Sequence, residues 1–98
     1  MAEVLLTTEA RDDLADIDRY SMENFGIEVA TNYMAGFDKA FALLREHPEA
    51  GAARQDVDRA IRSFGCGRHS LFYEIVDGRV IIQRVLHKAM DHRRVFQD

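Results

Sequence analysis

The sequence predicts an α+β fold of order β-α-α-β-β-β, in which a helical hairpin packs on an antiparallel sheet and a short C-terminal tail or helix follows. Three observations carry that expectation. Apolar residues recur at spacings of three and four from Ala10 to Leu44, the period of helices with one buried face. The later chain changes to short runs of branched and aromatic residues, which fit a pleated, half-buried surface. Between two of these runs lies Asp77-Gly78, a pair suited to the positive φ angles of a type I′ turn, so the flanking strands are expected to form an antiparallel hairpin.

In chain order, Ala2 to Leu6 reads as a short strand ended by Thr7-Thr8. Threonine is a good helix N-cap because its side-chain oxygen accepts an unpaired amide hydrogen of the first turn. From Ala10, the positions Leu14, Ile17 and Ser21 or Phe25 form an apolar stripe, with Asp12, Asp13, Asp16, Asp18 and Glu23 between them. The expected helix is amphipathic, and its early carboxylates suit the positive end of the helix dipole. Asn24-Phe25-Gly26 supplies the break.

A second helix carries Val29 or Ala30, Tyr33, Met34, Phe37, Phe41 and Leu44 on one face and stops at Glu46-His47-Pro48. The residue before a proline is pushed out of helical geometry. So short a connection implies an antiparallel helical hairpin. Gly36 inside this helix suggests close approach of another backbone. Glu49 to Arg54 reads as a loop, and Asp56 to Ala60 as at most one helical turn. The strands follow at Ile61–Phe64, His69–Val76 and Val80–Leu86, and residues 88–98 form the polar, basic tail.

With 98 residues, 47% hydrophobic and 31% charged, the chain has the composition of one domain spanning 1–98. No apolar run approaches the roughly 20 residues of a spanning helix, and the start lacks the features of a signal peptide, so the expected location is cytoplasmic, with no membrane partner. Lone Cys66 cannot close an intrachain disulfide. The net charge of −4 is uneven: residues 1–51 hold 4 Lys/Arg against 11 Asp/Glu, and residues 52–98 hold 9 against 6. A basic second half suggests contact with an anionic surface, while the acidic half argues against an all-round nucleic-acid coat.

Arg62, Arg68, Arg79 and Arg84 fall in or beside the strands, with His87, Lys88, His92, Arg93 and Arg94 close behind. Guanidinium groups bind phosphate or carboxylate through paired donors, and the bland alternative is a charged, protected sheet edge. Strict alternation places Arg84 on one strand face with Val80, Ile82 and Leu86. An arginine there calls for a carboxylate such as Asp91 or Glu74, or else marks an open site for a partner's acidic group. His87, Asp91 and His92 lack a third well-placed ligand for a metal, and a hydrogen-bonded histidine at the strand-to-tail corner is the better reading. Cys66 with His69 carries no nucleophile motif, and Gly65-Cys66-Gly67 reads as a turn or bulge rather than a phosphate loop. No cofactor, metal site or catalytic residue is expected.

Taken in order, these segments resemble the ParE branch of the ParE/RelE toxin superfamily of type II toxin–antitoxin systems, over nearly the whole chain. The resemblance rests on Leu6-Thr7 with Ala10, Asp13-Leu14, Ile17 and Tyr20, on Phe25-Gly26 with Ala30 and Tyr33, and on His47-Pro48 with Gly51. It continues through Arg62-Ser63-Phe64, Gly67-Arg68-His69, Phe72-Tyr73 and Arg84-Val85-Leu86-His87 with Met90-Asp91. It implies a RelE/ParE-like fold and a non-enzymatic toxin that poisons DNA gyrase. It also implies a cognate, ParD-like antitoxin whose C-terminal segment wraps the toxin in a hetero-oligomer, with no direct sequence-specific nucleic-acid binding. A RelE-type, ribosome-dependent mRNA endonuclease is the alternative, and a non-toxic antitoxin-binding module is the third. RelE-like nucleases resemble one another in a lysine- and arginine-rich site with a late tyrosine, whereas the lysines here are Lys39 and Lys88 and no tyrosine follows Tyr73.

On this reading the toxic surface comprises Arg62, Arg68, Arg84, His87, Met90, Arg93 and Arg94, the tail residues being expected as exposed, mobile and charged. The antitoxin is expected along the hairpin's apolar edge and across the sheet, anchored by Tyr20, Phe25, Tyr33, Phe37 and Phe41. Burying an aromatic contributes about 1.5–3 kcal/mol against about 0–1 kcal/mol for an exposed charge pair, so apolar anchors should dominate affinity.

Overall fold

Thr7 serves two elements at once: its Oγ1 accepts the Ala10 amide at 3.0 Å, capping a helix, and donates to the Gln83 carbonyl at 2.8 Å, tying that helix to a strand 76 residues away. The computed structural model describes residues 1–97. It runs β1 (Val4–Leu6), α1 (Thr8–Phe25), α2 (Ile27–Glu46), β2 (Ala52–Ala53), β3 (Arg62–Cys66), β4 (His69–Val76), β5 (Arg79–His87) and α3 (His92–Val95). The tail anticipated over 88–98 ends in Asp98, which lies outside the described residues.

Gly26 alone separates the two long helices. Its φ of 88° is a conformation L side chains rarely adopt, and its amide closes α1 on the Met22 carbonyl while its carbonyl opens α2 on the Ala30 amide. The Asp77-Gly78 turn has φ of 51° and 77°, as a type I′ turn requires, and joins β4 to β5. Gly67-Arg68 joins β3 to β4, with positive φ only at Gly67.

The strand order is β1-β5-β4-β3-β2. β1 runs parallel to β5, Val4 opposite Val80 and Leu6 opposite Ile82, while the other pairs are antiparallel. The sheet is therefore mixed, a correction to the wholly antiparallel expectation. The helical hairpin returns the chain so that its first strand lies beside its last, and a pairing so distant in sequence has no turn to announce it. The two-residue β2 also adds a strand that hydrophobic patterning did not mark.

One core fills the space between helices and sheet. Phe37 and Leu44 from α2 and Ala10 from α1 meet Leu71, Tyr73, Val80, Ile82 and Val85 there. A second, smaller core lies elsewhere on the sheet, where Ile61, Phe72 and Leu86 are joined by Val57, Val95 and Phe96. A β-bulge decides which residues go where: Phe72 pairs with Arg84 but Tyr73 with Ile82, leaving Gln83 as an extra residue. Alternation is thereby broken, so Val80, Ile82 and Val85 share the first core while Leu86 joins the second. This replaces the expected common face of Val80, Ile82, Arg84 and Leu86.

Three further expectations are corrected. Residues 56–60 form turns and no helix. No backbone crowds Gly36, where an added Cβ would meet only Cys66 Sγ at an ordinary 3.6 Å. The tail is not wholly exposed: Val95 and Phe96 pack on the second core, the Phe96 ring 5.5 Å from that of Phe72, while Arg93 and Arg94 are exposed as expected. The close approach lies instead at Gly51, where a Cβ would stand 2.6 Å from the Tyr73 hydroxyl. That hydroxyl donates to the Pro48 carbonyl at 2.6 Å and accepts the Gly51 amide at 2.8 Å, pinning the loop after α2 to the sheet.

Candidate functional site

β1 covers β5 only as far as Ile82, and α1 side chains take over the exposed edge beyond it. Thr7 satisfies the Gln83 carbonyl, and Asp13 Oδ2 accepts the Val85 amide at 2.9 Å. The same carboxylate grips Arg84 with both oxygens, at 2.8 Å from Nε and 2.9 Å from Nη2. Arg84 is thus held by Asp13 rather than by Asp91 or Glu74, and its guanidinium is committed to α1. The hydrogen bond to Asp13 pushes the Arg84 pKa up further.

Above this clamp, a cleft of about 550 Å³ opens between α1, the start of α2 and the β3–β4 turn. Ile17, Tyr20, Phe25, Val29 and Tyr33 supply its apolar lining, and Arg68, His69 and His87 its basic side. A smaller cleft of about 210 Å³ adjoins it, bounded by Asp13, Arg84, His87 and Met90. Asp16, Ile17, His69 and His87 border both. Tyr20 and Phe25 are 62% and 61% exposed and meet edge-on with ring centres 6.3 Å apart. Beside them Met22, Ile27 and Val29 are also exposed, giving the hairpin tip a wide apolar surface.

Tyr33 joins the cleft's two walls. Its hydroxyl accepts the Arg68 amide at 2.9 Å and lies 2.6 Å from His69 Nδ1. The arrangement uses every group when the hydroxyl donates to His69 Nδ1 and His69 carries its proton on Nε2. Burial is the main cause that lowers the His69 pKa, with a smaller contribution from His87, whose ring lies 5.3 Å away. Burial likewise raises Tyr33. Gly67 makes the contact possible, since a Cβ there would stand 2.8 Å from the Tyr33 ring.

The sequence-predicted residues divide. Of the expected antitoxin anchors, Tyr20, Phe25 and Tyr33 line the cleft, but Phe37 is 1% exposed in the main core and Phe41 is half-buried against it. Phe37 supports the cleft from beneath, its ring 5.6 Å from Tyr33 and 6.1 Å from His69. Of the expected toxic surface, Arg68, Arg84, His87 and Met90 border the two clefts. Arg62 lies apart on β3, donating to the Gly51 carbonyl at 2.7 Å, while Arg93 and Arg94 are exposed on α3. Arg62, Arg93 and Arg94 thus line neither cleft. Val29 and His69 line the cleft and were missed as site residues; His69 directly follows the Gly67-Arg68 turn, and that position was the available signal.

The His87 corner agrees with its sequence reading: Nδ1 accepts the Ala89 amide at 3.0 Å, and the His87 carbonyl accepts from His92 Nε2 at 2.9 Å. Among the described residues no group of three His, Cys, Asp or Glu side chains is placed to hold a metal ion. Burial pushes the Cys66 thiol up, away from the thiolate a nucleophile needs. Among the described residues no helix is long and apolar enough to cross a membrane.

Comparison with known proteins matches residues 4–92 to the family described as ParE toxin of type II toxin-antitoxin system, parDE. Toxin ParE1 of Caulobacter vibrioides is 35% identical over 88 residues, covering 90% of this chain and 91% of that protein. Toxin ParE1 of Mycobacterium tuberculosis is 28% identical, with 89% and 90% covered. Among solved structures, the chromosomal ParDE TA system from P. aeruginosa contains a chain with the same fold, at a TM-score of 0.77 and 19% identity, covering 89% of this chain and 96% of that one.

Proposed function

The chain belongs to the ParE toxin family of type II toxin–antitoxin systems, and from that premise we propose that it arrests growth by poisoning DNA gyrase and is silenced by an antitoxin seated in the hairpin cleft. The observation that carries the second half is the apolar cleft itself. Tyr20, Phe25, Ile27 and Val29 are each at least half exposed at one tip of the molecule. Contiguous apolar surface of that kind marks a binding face. The cleft suits a partner segment that brings apolar side chains to meet it.

Action without catalysis is supported by what the basic side chains already do. Arg84 is held by Asp13, Arg62 by backbone carbonyls and Arg54 by Asp56, so these guanidiniums do not converge on a point where a scissile phosphate would sit. The His69–Tyr33 pair is engaged in holding the β3–β4 turn.

The test of the target is a cleavage assay with purified chain, DNA gyrase, ATP and supercoiled plasmid, stopped with detergent and protease. Linear DNA that appears only with both proteins is the expected result. Absence of linear DNA, from protein that is folded and arrests growth, would refute the gyrase mechanism; cleavage of mRNA on ribosomes by the same preparation would replace it with the nuclease.

A further inference from the structure

Among the described residues, the carboxylates that line the two clefts are paired, whereas the Arg68 guanidinium is not. Asp16 is paired with Arg19 at 2.6 Å, and Asp13 with Arg84 at 2.8 Å. His69 is kept toward its neutral form by burial. Arg68 is exposed, and its guanidinium makes no hydrogen bond or ion pair among the described residues. The cleft's open charge is therefore positive and sits at one place on its rim.

The backbone beneath that charge is held firmly. Arg68 donates its amide to the Tyr33 hydroxyl at 2.9 Å and accepts the Lys88 amide on its carbonyl at 2.9 Å. Gly67 packs closely against the Tyr33 ring, so the turn bearing Arg68 is fixed to α2 on one side and to the residue after β5 on the other. The backbone thus fixes where the Arg68 side chain departs, and its unpaired guanidinium can bind a carboxylate through two parallel hydrogen bonds.

Resting on the antitoxin-docking reading above, we propose that Arg68 selects the occupant of the cleft: an antitoxin segment whose apolar side chains fill the space between Val29 and Tyr33 and which sets an Asp or Glu against Arg68. Tyr33 acts as the positioning residue, since it holds the turn without needing to touch that carboxylate. The charge pattern favours an acidic protein segment over nucleic acid. A nucleic-acid face needs several phosphate contacts, whereas here one unpaired arginine borders an apolar cleft on a chain of net charge −4. The apolar contacts supply most of the affinity, and Arg68 supplies register and an association rate that depends on salt.

The experiment measures binding of the full-length antitoxin encoded by the adjacent reading frame to the wild-type chain and to Arg68→Met, Arg68→Glu, Tyr33→Phe and Val29→Asp, each shown to be folded by circular dichroism. The expected result is about 10-fold weaker binding for Arg68→Met and about 100-fold for Arg68→Glu, with the salt dependence of the association rate flattened in the former. Tyr33→Phe falls between wild type and Arg68→Met. An Asp or Glu of the antitoxin changed to Arg restores binding to Arg68→Glu. If Arg68→Met and Arg68→Glu bind as wild type while Val29→Asp binds weakly, the role of Arg68 is overturned and the cleft reading stands. If Val29→Asp also binds as wild type, both fall. Displacement of the antitoxin by a DNA or RNA oligonucleotide, lost in Arg68→Met, would overturn the acidic-peptide assignment.

Discussion

Replacing Asp13 with alanine tests how the exposed edge of β5 is held. The carboxylate accepts three hydrogen bonds, from Arg84 Nε, Arg84 Nη2 and the Val85 amide. Its side chain is only 14% exposed, whereas that of Arg84 is 30% exposed and already in contact with water. The ion pair is therefore closer to a surface pair than to a buried one, contributing about 1 kcal/mol. The Val85 amide loses its acceptor at a partly buried strand edge, at about 1–2 kcal/mol. Asp13→Ala should thus cost about 2–3 kcal/mol, or about 8–24 °C in melting temperature for a domain of this size. Urea titration monitored by circular dichroism reads the free energy. A double-mutant cycle with Arg84→Ala should return a coupling of about 1 kcal/mol, because the Val85 contribution survives loss of the arginine. An Asp13→Ala variant within about 0.5 kcal/mol of wild type would refute the reasoning, since that is the range of ordinary surface substitutions.

Other perturbations separate further parts of the account. Tyr73→Phe removes the hydroxyl that binds Pro48 and Gly51, and urea titration should show a loss of about 1–3 kcal/mol with little change in far-ultraviolet dichroism. Gly36→Ala should stabilise by up to about 1 kcal/mol by the same titration, because helix propensity improves and the new methyl meets only Cys66 Sγ at 3.6 Å. His69 gains a proton less readily folded than unfolded, mainly through burial, so the stability it contributes is complete above the unfolded histidine pKa near 6.5 and is lost as pH falls from there toward its lowered folded value. Melting temperature should therefore fall as pH drops below about 6.5, and His69→Gln should flatten that slope.

How much could be read in advance followed from the range of the interactions involved. Thr7, Gly26 and Asp77-Gly78 act within a few residues of themselves, and each was legible as a cap or turn. The parallel pairing of β1 with β5 was not, since residues 4–6 and 80–82 meet only through the tertiary fold. Gln83 looks like any polar strand residue, and only the register of β4 against β5 reveals it as a bulge. Without that bulge, Arg84 appeared to need a carboxylate nearby in sequence, whereas Asp13 lies 71 residues away. The cleft was half legible. Tyr20, Phe25 and Tyr33 were recognised as aromatic candidates, but periodicity does not tell a residue facing the core, such as Phe37, from one lining a cleft beside it. Val29 was read only as part of the buried stripe, as an alternative to Ala30, yet it is 50% exposed and lines the cleft.

The central proposal is that the hairpin cleft is an antitoxin's seat, and hydroxyl-radical footprinting of the chain alone and in complex with a ParD-like antitoxin that neutralises it tests it most directly. Tyr20, Met22 and Phe25 are exposed and carry reactive side chains, while Met1, 96% exposed, serves as the control. The account expects Tyr20 and Phe25 to lose most of their reactivity in the complex, with Met1 unchanged. Full reactivity at Tyr20 and Phe25, with protection confined to Phe96 and its neighbours on α3, would place the antitoxin on the other core and contradict the account.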